Sequence, residues 1–359
     1  MKKLFCFLSL LFVIVTLTAC NKGPVLYVLN WNEYINEDLV EAFEKEYKVR
    51  VVIDPADSNE SMYTKIKSKT TKYDVAIPSD YMIHKLYNEG LLLELNMDYL
   101  PNYVNATFDP NLEEHRDSYF KNNKNYAVPY FWGTLGIMYS TKKTGVEDLV
   151  KENNWEVFFN KELTKGLKVA MYNSSRDAIA AGELFLGIDL NTKSETDLKR
   201  VEDLLKGQSY SSWGTDDLKS FVANGNTDIA LVYSGDFFDM LYASIESNDK
   251  IDYNLHVPTT NNVWFDAMVI PNTTGDAVMA HNFINFMIDE ENALENAFAI
   301  GYCPTLYNVY QELKTDNEFK NIIDTYPYYP GIVTNGTVYK DLGNEIYQKL
   351  EIILSNVKG

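Results

Sequence analysis

Val25-Leu26-Tyr27-Val28-Leu29-Asn30 is a short apolar run rich in β-forming residues, and it reads as a buried strand. The segments downstream of it set the fold class. Asn36 is placed to cap a helix in which Leu39, Phe43 and Tyr47 recur every four residues. Lys48 to Asp54 returns to strand character, Met62 and Ile66 mark a second helical stripe, and Tyr73 to Ile77 reads as a third strand. Met82 to Glu89 is again helical, with Gly90 placed to end it. Strands that alternate with helices pair in parallel, because each helix carries the chain back to the same end of the sheet. The chain is therefore of the α/β class.

The alternation restarts further along the chain. Lys168 to Tyr172 is strand-like and Arg176 to Leu186 helical, and Ser194-Glu195-Thr196-Asp197 resembles a capping box ahead of the Leu198, Val201, Leu205 stripe. Asp228 to Tyr233 reads as a buried strand, and Phe237, Leu241 and Ile245 keep helical spacing. A strand from Val263 to Ile270, a helix from Val278 to Met287 and an amphipathic helix through Ile346, Leu350, Ile353 and Val357 complete the pattern. Two successive α/β units fit two lobes better than one sheet, as does a length of 359 residues. The most loop-like stretches are Asn96 to Asp117 and Thr325 to Thr337, and no internal repeat is visible.

Composition narrows the function. With 51 Asp and Glu against 32 Lys and Arg, the formal charge is −19, which opposes nucleic-acid binding because phosphates need a basic face. Such acidity suits a cationic partner, although solubility alone also accounts for it. A hydrophobic content of 46% excludes disorder throughout the chain. The 26 tyrosines stand out, and three cysteines cannot make a complete disulfide framework.

Residues 1–19 read as a signal peptide: Lys2 and Lys3 precede an apolar stretch from Leu4 to Leu17 that is too short to span a membrane well. The run ends in Leu17-Thr18-Ala19-Cys20, which resembles the lipobox of bacterial lipoproteins. That resemblance implies cleavage before Cys20 and its acylation, with residues 20–23 as the lipidated cysteine and its tether. An ordinary secretory cut beside a chance cysteine is the alternative. The expected location is the periplasm or cell surface, lipid-anchored to a bacterial membrane. Processing would discard Cys6 and leave Cys303 as the one thiol, read here as packing beside Tyr302.

Six motifs in order suggest a family. They are Asn30-Trp31-Asn32-Glu33-Tyr34, Ser58-Asn59-Glu60-Ser61-Met62-Tyr63, and Tyr73 to Tyr81 with its Ile77-Pro78-Ser79 turn. Then come Val128-Pro129-Tyr130-Phe131-Trp132-Gly133, Trp264-Phe265-Asp266, and Ile300-Gly301-Tyr302-Cys303-Pro304-Thr305. Together they resemble the spermidine- and putrescine-binding proteins of ABC importers over nearly the whole mature chain. The resemblance implies a two-lobed periplasmic-binding-protein fold of type II, each lobe a mixed sheet flanked by helices. Lobe one would hold residues 24–133 and 266–313, and lobe two residues 134–265 and 314–359. A polyamine would lie in the cleft and be buried by hinge closure, with delivery to ABC permease subunits and no catalytic step. The expected protein is monomeric, with no cofactor or metal.

A polyamine is a chain of ammonium groups separated by methylenes. Binding it takes carboxylates at intervals and aromatic walls between them. By motif position the acids are Glu33, Asp177 and Asp266, and the walls are Trp31, Tyr34, Tyr81, Tyr233, Trp264 and Tyr302. Asn32, Ser79 and Thr215 add neutral polar groups, although Ser79 is equally placed to cap the next helix. Strand alternation puts Trp264 and Asp266 on one side. The chain departs from the family pattern in two places: Ser174 stands where an acid is expected, and Tyr339 where a glutamine is. Asp236 could compensate for the lost acid, or act only as a helix N-terminal acid.

Other chemistries find less support. His84, His115, His256 and His281 are isolated, and neither a His-Glu-x-x-His pattern nor a Gly-x-Ser-x-Gly elbow occurs. Another cation, ferric iron or thiamine, on the same fold and an extracellular hydrolase remain as alternatives. Tyr326, Tyr328 and Tyr329 suit a Pro-interleaved aromatic loop better than an iron site.

Overall fold

The computed structural model describes residues 23–120, 124–317, 320–330 and 336–359. The leader, Cys6 and the acylation site expected at Cys20 lie outside them.

The opening units form as the periodicities require. β1 (Val25–Asn30) is the centre of a parallel sheet, with β2 (Arg50–Pro55) on one side and β3 (Val75–Ala76) on the other. Asn36 caps the Glu37–Tyr47 helix by accepting from the Asp38 amide at 2.9 Å. Its inward residues Leu39 and Phe43 are buried, and Phe43 meets Phe283 edge-on at 5.1 Å. Burying one such ring contributes about 1.5–3 kcal/mol. Gly90 follows the Asp80–Asn88 helix at a φ of 66°, a left-handed conformation that glycine adopts without a Cβ clash.

Two further strands lie back to back in sequence, β4 (Val128–Gly133) and β5 (Leu135–Ser140), and neither is flagged by sequence periodicity because both are buried throughout. The second sheet adds β6 (Val169–Tyr172), β7 (Ser212–Gly214), β8 (Ile229–Tyr233) and β9 (Tyr253–His256), in the order β7-β6-β8-β5-β9. Within it β6 is parallel to β7 and β8, whereas β5 is antiparallel to β8 and β9. The chain returns along β10 (Asn262–Met268), which pairs antiparallel with β4, and β11 (Cys303–Pro304) lies on the other edge of β4. Beyond β10, Ala76 and Val269 exchange backbone hydrogen bonds at 2.9 and 2.8 Å, joining the first sheet to the β10–β4–β11 group. The architecture is thus two mixed α/β layers connected through β4, β5 and β10.

The connection is held firmly. Thr134, fully buried between β4 and β5, donates to the Asn262 carbonyl at 2.6 Å, and the Asn262 side chain accepts from the Leu135 amide at 2.9 Å. A third crossing is made where β12 (Thr337–Val338) runs parallel beside Asn262 and Val263. Gly336 just before it lies so close that a Cβ would stand 2.5 Å from the Asn262 carbonyl. Only glycine allows that approach.

Two expectations need correction. Asn96 to Asp117 is largely helical: Pro101 opens a short helix through Asn105, and Pro110 opens another through Phe120. Arg116 is buried there between Glu113, one turn back on its own helix, and the Tyr103 hydroxyl of the preceding helix. Ile245 lies on its helix as expected but remains 48% exposed, so the Phe237 and Leu241 stripe ends one turn earlier.

Candidate functional site

The loop after β1 turns back on itself. Asn30 donates from its side-chain amide to the Tyr34 carbonyl at 3.1 Å, and Glu33 takes a left-handed φ of 50°. Tyr34 is thereby turned inward and buried, Trp31 is half-buried, and Asn32 and Glu33 stay exposed. Opposite, β6 runs into the Ser175–Leu186 helix and β8 into the Ser234–Glu246 helix. These helix starts carry Asp177 and Asp236 to the same face as the loop. Between them lies a cavity of about 700 Å³, the larger of two described, lined by all fourteen residues singled out from sequence.

Asp266 comes from β10, where the pairing with β4 shifts register between Phe265 and Ala267. Both Trp264 and Asp266 face the cavity, as strand alternation requires. Asp266 is buried and its Oδ1 has no hydrogen-bond partner among the described residues. Burial pushes its pKa up to about 7, with the nearby hydroxyls of Ser79 and Tyr34 pulling against that rise. Beneath it the Asp80 carboxyl accepts from the Tyr81 amide at 2.6 Å. Burial first, then the Asp266 charge, holds Asp80 well above the ordinary carboxylate range.

Ser79 occupies the N-cap position of its helix, but its side chain makes no cap bond. It accepts from the Asn59 amide at 3.0 Å instead, which keeps it beside Asp266. Ser174 does the opposite. It caps the Ser175–Leu186 helix, its Oγ accepting from the Asp177 amide at 3.3 Å. Asp177 is buried and accepts from two phenols, Tyr233 at 2.7 Å and Tyr339 at 3.0 Å. Its pKa is raised by burial, against which the Ser174, Tyr233 and Tyr339 hydrogen bonds act.

The rings form a continuous wall. Tyr172 meets Tyr233 at 5.0 Å, Tyr233 meets Trp264 at 5.5 Å, Trp264 meets Tyr302 at 5.8 Å and Tyr302 meets Tyr34 at 5.0 Å. Tyr302 lies flat over Gly235, where an added Cβ would fall 2.3 Å from the ring. On the far side Tyr81 stacks on Tyr347 at 6.0 Å and donates to Glu60 at 3.2 Å. Thr215 lines the rim, its amide bonded to Asp217 at 2.8 Å. The Trp31 and Trp264 indole nitrogens and the Tyr34 hydroxyl, like Asp266 Oδ1, make no hydrogen bond of full geometry among the described residues, although the Tyr34 hydroxyl is near enough to lower the Asp266 pKa. Four unpartnered polar atoms thus line one aromatic chamber, beside acids whose pKa values are raised.

Several lining residues lie outside the sequence-derived set, Glu60, Tyr172, Arg176, Asp216, Lys219 and Glu351 among them. Asp236 combines both roles weighed for it. Its Oδ2 accepts from the Tyr233 amide at 3.0 Å at the helix start, and its Oδ1 from the Tyr302 hydroxyl at 2.8 Å inside the cavity. Glu33, expected as a free acid, is ion-paired with Lys219 at 3.2 Å. Arg176 lies against the Tyr339 ring, 4.3 Å from its centroid.

The residues considered for other chemistry fall elsewhere. Tyr326 packs on Phe237 and Tyr329 on Phe238, each at 5.4 Å, and Tyr328 lies by His256. Cys303 is buried next to Tyr302, and burial raises its thiol well above the ordinary range. Among the described residues no group of three or more His, Cys, Asp or Glu could hold a metal ion. No described helix is long and apolar enough to cross a membrane.

Comparison with known proteins agrees with this geometry. Residues 38–321 match the family of bacterial extracellular solute-binding proteins. A putrescine-binding periplasmic protein of Pseudomonas aeruginosa is 31% identical over 277 residues, 75% of each chain. A spermidine/putrescine-binding periplasmic protein of Haemophilus influenzae is 29% identical over 321 residues, 84% of this chain and 85% of that one. Among solved structures, a spermidine/putrescine ABC transporter protein of Listeria monocytogenes superposes with a TM-score of 0.78 at 32% identity. That match covers 94% of this chain and 99% of the other. The family serves transport and not catalysis. With the two-layer architecture and the chamber between the layers, these matches establish that the chain belongs to the bacterial extracellular solute-binding protein family and has the two-lobed type II periplasmic-binding fold.

Proposed function

We propose that this protein captures a polyamine of the putrescine or spermidine class in the chamber and delivers it to the permease of an ABC importer. The observation that carries the reading is the unpartnered carboxylate oxygen of Asp266 within a ring of tryptophans and tyrosines. An ammonium group supplies the missing partner of Asp266, and the methylenes lie against the rings. Asp177 meets the second ammonium from the other lobe, so the ligand bridges both and favours the closed form. In this reading lobe one comprises residues 24–133 and 266–313, and lobe two residues 134–265 and 314–359. The names of the relatives point the same way.

Titration calorimetry of protein freed of carried-over ligand by unfolding and refolding tests the reading. One amine bound per chain, from among putrescine, cadaverine, spermidine and spermine, is the expected result. No heat with any of the four overturns it.

The reading includes a monomer held by a lipid anchor at Cys20 at the outer face of a membrane, within reach of the permease. Cells expressing the full chain should incorporate labelled fatty acid into the wild type and not into Cys20→Ala. The variant should leave the membrane fraction. Labelling of Cys20→Ala at the wild-type level would place the modification elsewhere.

A further inference from the structure

The cleft already contains an ammonium group. Lys219 lies on the Asp217–Ala223 helix, lines the cavity, and has a side chain only 11% exposed. Its Nζ is 2.5 Å from Asp239 Oδ2 and 3.2 Å from Glu33 Oε2. Lysine is almost never buried unless paired. Burial acts to strip its proton, but Asp236, Asp239 and Glu33 more than reverse this and hold the amine above the usual lysine range. Lys219 is therefore a fixed cation at the end of the chamber where Glu33 and Asp236 stand.

Each acid at that end already accepts from a group of the protein itself. Asp236 accepts from the Tyr233 amide and the Tyr302 hydroxyl, Asp216 from the Tyr172 hydroxyl at 3.2 Å, and Glu33 and Asp239 from Lys219. Burial, the larger effect, raises Asp216 and Asp236, and the Lys219 charge pulls both back down. The contrast with Asp266, whose Oδ1 has no partner, is direct. At the opposite end Asp177 accepts from the neutral phenols of Tyr233 and Tyr339, not from an ammonium.

We propose that Lys219 acts as a resident ammonium that fills the amine position at the Glu33–Asp236 end of the cleft, so that the site selects a diamine over a triamine. The inference rests on the polyamine reading above and specifies its substrate. A diamine places one ammonium at Asp266 and one at Asp177. A triamine carries its third charge toward Lys219, where it meets a like charge at low dielectric whose ion pairs with Glu33 and Asp239 it would have to share.

The test is calorimetry of wild type, Lys219→Met and Lys219→Arg with putrescine, cadaverine and spermidine. Wild type should bind the better diamine about tenfold or more tighter than spermidine. Lys219→Met should shift the spermidine-to-diamine ratio by about tenfold toward spermidine, and Lys219→Arg should keep the wild-type order. A wild type that prefers spermidine overturns the inference even if Lys219→Met fails to fold. So does a ratio that Lys219→Met leaves within about twofold. Both results leave the polyamine reading intact, whereas no binding of any amine by wild type removes that reading and this inference together.

Discussion

Asp266→Asn should weaken amine binding by about 10²–10³-fold while leaving the ligand-free protein at least as heat-stable as the wild type. The two halves of this expectation have different causes. Removing one partner of a buried ion pair costs about 3–5 kcal/mol, because the remaining ammonium is left desolvated and unpaired. In the ligand-free protein the situation is reversed. Asp266 is buried with Oδ1 unpartnered, so its charge opposes folding, and a neutral amide of the same shape removes that cost. Calorimetry gives the first quantity and a thermal melt of the ligand-free protein the second. A melt lowered by several degrees would show that Asp266 holds the β10 irregularity together, and the site would have to be centred elsewhere.

The second large effect is a dependence on pH. Asp266 has a folded pKa of about 7, against about 3.9 in an unfolded chain. The folded ligand-free protein therefore holds a proton that the unfolded chain has released, and stability from this group is greatest below about pH 4. It is lost as pH rises toward 7, by up to about 4 kcal/mol for a shift of three units. Ligand binding has the opposite sign. A bound ammonium requires the carboxylate, so below pH 7 the proton must leave first and affinity falls about tenfold per pH unit. From pH 7.5 to 5.5 the thermal shift caused by a saturating diamine should shrink, while the melt of the empty protein rises. Asp177 and Asp236, both raised chiefly by burial, steepen the same trend. A flat affinity between pH 5.5 and 7.5 would mean that Asp266 is already ionised in the empty cleft.

The periodicity of the first strands and helices was enough for the parallel opening units, since strands there alternate with helices whose inward faces repeat every four residues. The connections between lobes were not legible in the same way. β4 and β5 are buried along their whole length, so neither shows an alternating face, and Pro129 within β4 argues locally against a strand. In the cleft, acids and rings could be named because they stand at motif positions of the family that the chain resembles. Lys219 could not. In Asp217-Leu218-Lys219-Ser220 it looks like any solvent-facing lysine, and its partner Glu33 is 186 positions away. Ser174 and Ser79 show the limit from the other side. Both precede helices, yet only Ser174 caps one, and that choice is made by Asn59 and Asp266 reaching Ser79 from distant strands and helices.

In the proposed division the chain passes between the lobes near Thr134, within β10 and near β12, and Asn262 on β10 hydrogen-bonds Thr134 and pairs with Thr337 of β12. Passages bunched around one residue act like the pin of a pair of tongs. They resist stretching and sliding, and leave opening and closing as the easy motion. Whatever the cleft holds is then expressed as a single angle. A transporter touching both tips would need to measure only that angle to tell a loaded carrier from an empty one, without ever contacting the cargo.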